Sequence, residues 1–175
     1  SYNNLVDLDS ALALAKEFGD GAFACVLKHN NPCGAAQAET LARALELAWN
    51  GDPVSAFGSV LAFTRNVDAA CAEYLVSGNR FVEAIVAPDF DADALELLTT
   101  KAKWGKNVRL LAVGEFAGSG RLARDVEVKK LVGGFLVQDR VLFAAGEGHC
   151  KVVTKRAPTA AELDTLKAEL RANYE

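Results

Sequence analysis

"FACVLKHNNPCGAA", residues 23–36, decides how the chain is built. It opens within "AFACVL" (22–27), a continuous apolar run of strand formers, the pattern of a strand buried on both faces. "NNPCG" ends the run, with Pro32 fixing a loop and Asn30 and Asn31 supplying amide donors and acceptors. Lys28 and His29, the latter one of only two histidines, stand directly after the apolar stretch.

The flanking sequence continues the theme on both sides. Upstream, Asp9 is a good N-cap, Leu12, Ala15 and Phe18 recur at helical spacing, and Gly19 sits where a C-terminal glycine belongs. Downstream, the spacing predicts a helix from about Gln37 to Trp49, with Leu41, Ala44, Leu45 and Ala48 on one face and Gly51 after its end. "SVLAF" (59–63) reads as a strand, Asp68 caps a helix near 69–77, and "FVEAIVA" (81–87) is a strand. Asp91 caps a helix through about Lys103, and "VRLLAV" (108–113) is a further strand. Alternating strands and helices predict an α/β fold of three layers, a mostly parallel sheet with helices on both faces. The last third is less regular. "GEFAGSGR" (114–121) reads as a loop, "VEVKKLVGGFLVQD" (126–139) as strand material around Gly-Gly, "KVVT" (151–154) as a short strand, and "TAAE" (159–162) as the capping box of a terminal helix.

The 175 residues suit a single domain, 1–175, able to enclose a proper core. Hydrophobic residues make up 51%, charged ones 24%, and the net charge is -4, a balance that gives no basis for a nucleic-acid partner. No apolar run approaches the roughly 20 residues that span a bilayer, and "SYNNLVDLDS" lacks the features of a signal peptide, so the reading is cytoplasmic with no membrane partner. Because the chain begins at Ser1 and holds no methionine, it reads as a processed chain or a piece of a longer one. Cys25, Cys33, Cys71 and Cys150 form no CxxC pair and suggest reduced thiols.

In a doubly wound sheet, ligands bind outside the carboxyl ends of the strands, where Lys28 and His29 fall. Gly34, Ala35 and Ala36 then lead toward the expected helix, where small residues let backbone N–H groups approach an anion. The competing reading is a plain turn with Lys28 in solvent, and from these residues alone the two are evenly balanced. Adjacent residues on an extended chain point to opposite faces, so Lys28 and His29 can act together only if strand geometry ends there. "PCGA" invites a zinc-deaminase reading, but Ala36 replaces the second cysteine and no H-x-E exists, so no zinc site is expected. "GEFAGSGR" matches neither G-x-G-x-x-G nor a P-loop, and His149-Cys150 reads as an incidental neighbour pair.

"LKHNNPCGAA" resembles the K-H-x-N-P-C-G segment of the aminoimidazole carboxamide ribonucleotide (AICAR) formyltransferase family, the transformylase part of the bifunctional enzyme that also carries IMP cyclohydrolase. "SYNNLVDLDSAL" (1–12), "DPVSAFGSVLAF" (52–63), "FVEAIVAP" (81–88), "NVRLL" (107–111), "GGFLVQD" (133–139) and "KVVTKRAPT" (151–159) are similar to family segments in the same order. The likeness is closest to bacterial members. It implies a cytidine-deaminase-like fold and formyl transfer from 10-formyltetrahydrofolate, a co-substrate rather than a tightly bound cofactor, to the 5-amino group of AICAR. The family's catalytic Lys-His pair falls on Lys28 and His29, and its substrate contacts map onto Asn4, Asn31, Gly34 and the segment around Ile85 and Asp89.

The chemistry is consistent with that pairing. The AICAR amine is conjugated through the imidazole to the carboxamide and is a poor nucleophile, so a neutral imidazole, ordinarily of pKa about 6.5, can serve as its base. An ammonium beside the formyl oxygen would stabilise the charge that develops there. Ser59 and Asp89 stand where family members carry glycine. The resemblance further implies that the cyclohydrolase domain, an upstream R-Y-G segment and the second transformylase half lie outside this chain. That second half would bring an Asn and later Phe, Arg and His residues, in a site at a homodimer interface. Catalysis would then need the missing half, from the same polypeptide or a partner. The alternative is a non-catalytic purine-nucleotide-binding or assembly module of the same fold.

Overall fold

A computed structural model describes residues 1–18, 21–115, 126–139 and 155–165. The His149-Cys150 pair, the "KVVT" strand, Gly19 and most of the 114–121 loop lie outside these residues. The chain divides into two compact units, Ser1–Phe116 and Ala117–Glu175.

The first unit is α/β, built on a five-stranded sheet. Its strands are β1 (Ala22–Lys28), β2 (Asn31–Ala38), β3 (Ser59–Phe63), β4 (Val82–Ala87) and β5 (Arg109–Ala112), in the order β2-β1-β3-β4-β5. β1 runs antiparallel to both neighbours, whereas β3, β4 and β5 are mutually parallel. The sheet is therefore mixed, not mostly parallel. The cause is the stretch expected to be a loop leading into a helix at about Gln37: residues 31–38 fold back on β1 as an edge strand. Alanines at 35, 36 and 38 favour a helix in isolation. Pairing with β1 overrides that preference, and burial alternates along 35–38 as a half-covered strand requires. Pro32 is tolerated because β2 is an edge strand, and the ladder shifts register there, leaving Cys33 as the extra residue between the Leu27–Pro32 and Val26–Gly34 pairs.

Helices cover both faces. α1 (Tyr2–Lys16) packs on β1, β3 and β4. It begins at Tyr2, with the Ser1 side chain accepting from the Asn4 N–H, and not at Asp9, which lies exposed in mid-helix. Leu8, Ala11, Leu14 and Ala15 are its buried stripe. The Cys25 thiol donates to the Ala11 carbonyl at 3.6 Å, with burial pushing that thiol's pKa up to about 12, and Phe18 stacks on Phe23 with ring centroids 3.9 Å apart. On the opposite face lie α2 (Leu41–Trp49), α3 (Ala69–Val76), α4 (Ala92–Glu96) and a π-helical turn over Leu97–Lys101. Thr40 caps α2 and Asp68 caps α3, the latter accepting the Cys71 N–H at 2.8 Å. Leu45, Leu61, Phe63, Leu75, Ile85 and Leu98 fill the core between this layer and the sheet.

In the second unit, β6 (Val126–Leu131) and β7 (Gly134–Asp139) form an antiparallel hairpin closed between Leu131 and Gly134, matching the strand material read around Gly-Gly. Residues 160–165 are helical, and the capping box forms. Thr159 N–H donates to Glu162 at 2.8 Å while the Glu162 N–H donates to the Thr159 hydroxyl at 3.3 Å. Among the described residues, no helix is long and apolar enough to cross a membrane.

Candidate functional site

Strand geometry ends at Lys28. His29 and Asn30 have φ of 55° and 62°, and Lys28 pairs with Asn31, so a two-residue turn with both centres left-handed joins β1 to β2. This type I′ hairpin usually calls on Asn-Gly; here His and Asn fill it, residues that tolerate the left-handed region better than most, though each still costs on the order of 1 kcal/mol. Leaving the ladder removes the objection that Lys28 and His29 must face opposite ways.

The turn is fastened from three directions. The half-buried Lys28 donates from Nζ to the Phe57 carbonyl at 2.8 Å, and Asn31 Nδ2 donates to the His29 carbonyl at 3.3 Å. From α1, Asp7 Oδ1 accepts the Asn30 N–H at 2.9 Å, and the Ser10 hydroxyl donates to Asn30 Oδ1 at 3.3 Å. Asn4 lies one turn before Asp7 and Leu8 on the same helical stripe, which places it at this end of the sheet.

The neighbouring wall is the loop before β3. Asp52 accepts the N–H groups of Val54 and Ser55 at 3.2 and 3.0 Å and the Ser55 hydroxyl at 2.6 Å, which holds its carboxyl below the usual carboxylate range. Gly58, at φ 77°, donates its N–H to the Phe81 carbonyl at 2.8 Å, and the Phe57 and Phe81 rings sit 5.6 Å apart. Cys33 is half-buried; burial and then Asp52 push its thiol pKa up against the pull of Lys28. Phe57, Gly58, Asp7 and Ser10 are site-end residues that sequence reading missed. A helix start at Ser1 puts Asn4, Asp7 and Ser10 at successive i, i+3 positions, which is the signal that could have found two of them.

The other sequence-predicted residues lie elsewhere. Gly34 faces α2: an added Cβ would overlap the Ala48 carbonyl, so this glycine serves close packing of β2 on α2 rather than an anion at a helix N-terminus. Ile85 is fully buried in mid-sheet, level with Leu61 and Val26. Because β1 is reversed, its carboxyl end lies beside the amino ends of β3 and β4, where Leu27 pairs with Val60 and Ser59 with Val82. Asp89 follows the far end of β4, past Ala87, which is five strand residues or about 16 Å from the level of Val82. There Asp89 Oδ1 accepts the Phe90 N–H at 2.8 Å and its carbonyl accepts the Val67 N–H at 2.9 Å. Ser59 is buried near the site end, and its hydroxyl has no hydrogen-bond partner among the described residues. No group of three or more His, Cys, Asp or Glu converges as a metal site among the described residues.

Fold and site together define an α/β protein that presents a lysine and a histidine on a hairpin turn at one end of a mixed sheet. The chain belongs to the AICARFT/IMPCHase bienzyme family, whose model matches residues 1–173. It is 53% identical over 139 residues to the bifunctional purine biosynthesis protein PurH of Rhodopirellula baltica, which covers 79% of this chain and 26% of that protein. The PurH proteins of Sorangium cellulosum and Trichormus variabilis are 47% and 43% identical, each over 95% of this chain and 30% and 31% of their own lengths. The chain thus spans less than a third of the length of these relatives.

Proposed function

We propose that the chain supplies the Lys-His portion of an AICAR formyltransferase in purine biosynthesis, working in the cytoplasm as part of a longer or assembled protein. In this reading the AICAR amine attacks the formyl carbon of 10-formyltetrahydrofolate. His29 takes the amine proton, the bond from the formyl carbon to N10 breaks, and the same proton passes from His29 to N10, which leaves as the neutral N–H of tetrahydrofolate. Lys28 stabilises the charge that develops on the formyl oxygen. Asn4 and Asn31 are the nucleotide contacts this reading keeps at the site. Asp89 and Ile85 are not used, and Gly34 acts through packing. Further residues of the site, and the homodimer the family resemblance implies, come from outside this chain. A cytidine-deaminase-like descent for the sheet belongs to the same proposal and is supported by its layered α/β build and the family resemblance.

The observation that carries the reading is the turn. Lys28 is the last residue of the β1 ladder and His29 leaves it directly afterwards into the left-handed turn, with Lys28 held by the Phe57 carbonyl and the Asn30 N–H bound to α1. The test is formyl transfer by the complete protein with Lys28→Ala or His29→Ala. Each variant is expected to lose on the order of 10²–10⁴ in kcat with the fold intact. Near-normal turnover in both would remove the assignment and favour a binding or assembly module.

A further inference from the structure

We infer that Asp7 is a positioning residue for His29: from α1 it clamps the turn that carries the histidine into its left-handed backbone. The inference rests on the reading of Lys28 and His29 as the reacting pair.

Two consecutive non-glycine residues at positive φ, His29 at 55° and Asn30 at 62°, do not hold that geometry by preference. In a two-residue hairpin the N–H of the second central residue is not used by the ladder and points away from it. Here that N–H, from Asn30, is taken by Asp7 Oδ1 at 2.9 Å, while Ser10, one helical turn on, donates to the Asn30 side chain at 3.3 Å. Both groups that hold Asn30 therefore come from one face of α1. α1 is itself fixed on the same sheet by buried Leu8, Ala11, Leu14 and Ala15 and by the contact between the Cys25 thiol and the Ala11 carbonyl. The helix and the turn share one rigid support, so the clamp transmits position and not merely stability.

Asp7 meets a backbone N–H, and no hydrogen bond joins it to the imidazole among the described residues. Its role is thus to set the direction in which His29 leaves the backbone relative to Lys28. Releasing the clamp would let φ of residues 29 and 30 relax and swing the ring away from a reacting amine, and a displacement near 1 Å is enough to cost a large factor in rate.

The experiment compares Asp7→Ala, Asp7→Asn and the double variant Asp7→Ala/Asn30→Gly. Asparagine at residue 7 keeps the acceptor oxygen, and glycine at residue 30 adopts positive φ without help. Formyl transfer is measured on the complete protein, and intraresidue HN–Hα NOE intensities, strong at positive φ, are read for residue 29 in every variant and for residue 30 wherever it is asparagine. Asp7→Ala is expected to weaken those NOEs and to lower kcat by about 10-fold or more, with the KM for the nucleotide changing about twofold or less. Asp7→Asn and the double variant are expected to recover both readouts. The inference is overturned if Asp7→Ala keeps the strong NOEs, or if it keeps wild-type kcat while His29→Ala is inactive. If His29→Ala is itself active, the catalytic reading of the turn fails, and the NOE data still report separately on the clamp.

Discussion

The two ends of the five-stranded sheet are built on opposite plans. At the Asp89 end, polar groups close local structure: Asp89 accepts its neighbour's N–H, Val67 and Phe90 bridge in parallel, and Thr64 joins the start of β1 to the end of β3 by accepting the Phe23 N–H at 2.9 Å. At the Lys28 end, hydrogen bonds with α1 and with the Phe57 carbonyl hold a turn whose two left-handed residues, His29 and Asn30, are not glycine. At the Asp89 end the left-handed residue is Gly114, which adopts that region freely. One end uses its polar atoms to finish the fold, whereas the other uses them to maintain conformations the chain would not choose. Strain of that kind persists where the surroundings over-determine it, which is a property of functional sites.

The contrast breaks most sharply under substitution. Asp89→Ala is expected to leave formyl transfer by the complete protein within about twofold, as for an exposed side chain, against the loss of orders of magnitude expected for His29→Ala. An Asp89→Ala variant as inactive as His29→Ala would erase the distinction between the ends. Next in size are changes in packing. Phe63→Ala, in the core both ends share, is expected to cost about 3–5 kcal/mol in chemical unfolding. Gly34→Ala, which would drive a methyl group into the Ala48 carbonyl, is expected to cost about 1–3 kcal/mol without acting on Lys28 directly.

Smaller effects sharpen the picture. Ser59→Ala removes a buried hydroxyl that has no partner among the described residues and is expected to raise stability by about 1 kcal/mol; a loss of that size would show that the hydroxyl is satisfied. In the second unit, Arg156 and the Thr159 cap hold the Glu162 carboxyl down to about 2. A depressed carboxylate contributes stability above its unfolded pKa, ordinarily about 4.3, and loses it as pH falls through the folded value. The cap at 159–162 is therefore expected to weaken between roughly pH 4.5 and 2, read by NMR titration of Glu162.

Much of this contrast was hidden in the sequence for identifiable reasons. β1, β3 and β4 were legible because short, mostly apolar runs rich in β-branched and aromatic residues and bounded by turn signals favour buried strands, and "SVLAF" matches β3 residue for residue. β2 was not, because Asn-Pro and Gly34 read as a loop, the alanines after them read as the approach to a helix, and the hairpin is closed by His-Asn, without the Asn-Gly that advertises such a turn. Missing β2 made the sheet seem mostly parallel, which put Lys28 and Asp89 at the same end. The reversal of β1 separates them. Lys28 and His29 themselves were visible as a pair at a strand end, but the residues that fix them were not. Asp7 and Ser10 belong to a helix whose polar start, "SYNN", dilutes its apolar period, and Phe57 acts through its carbonyl, which no side-chain pattern reveals.

The claim that the Lys28 end is the reacting end is tested most directly by hydrogen exchange on the complete protein with and without AICAR. Binding is predicted to slow exchange in peptides covering residues 28–34 and to leave those covering 88–93 unchanged. Protection confined to 88–93, with none at 28–34, would contradict it.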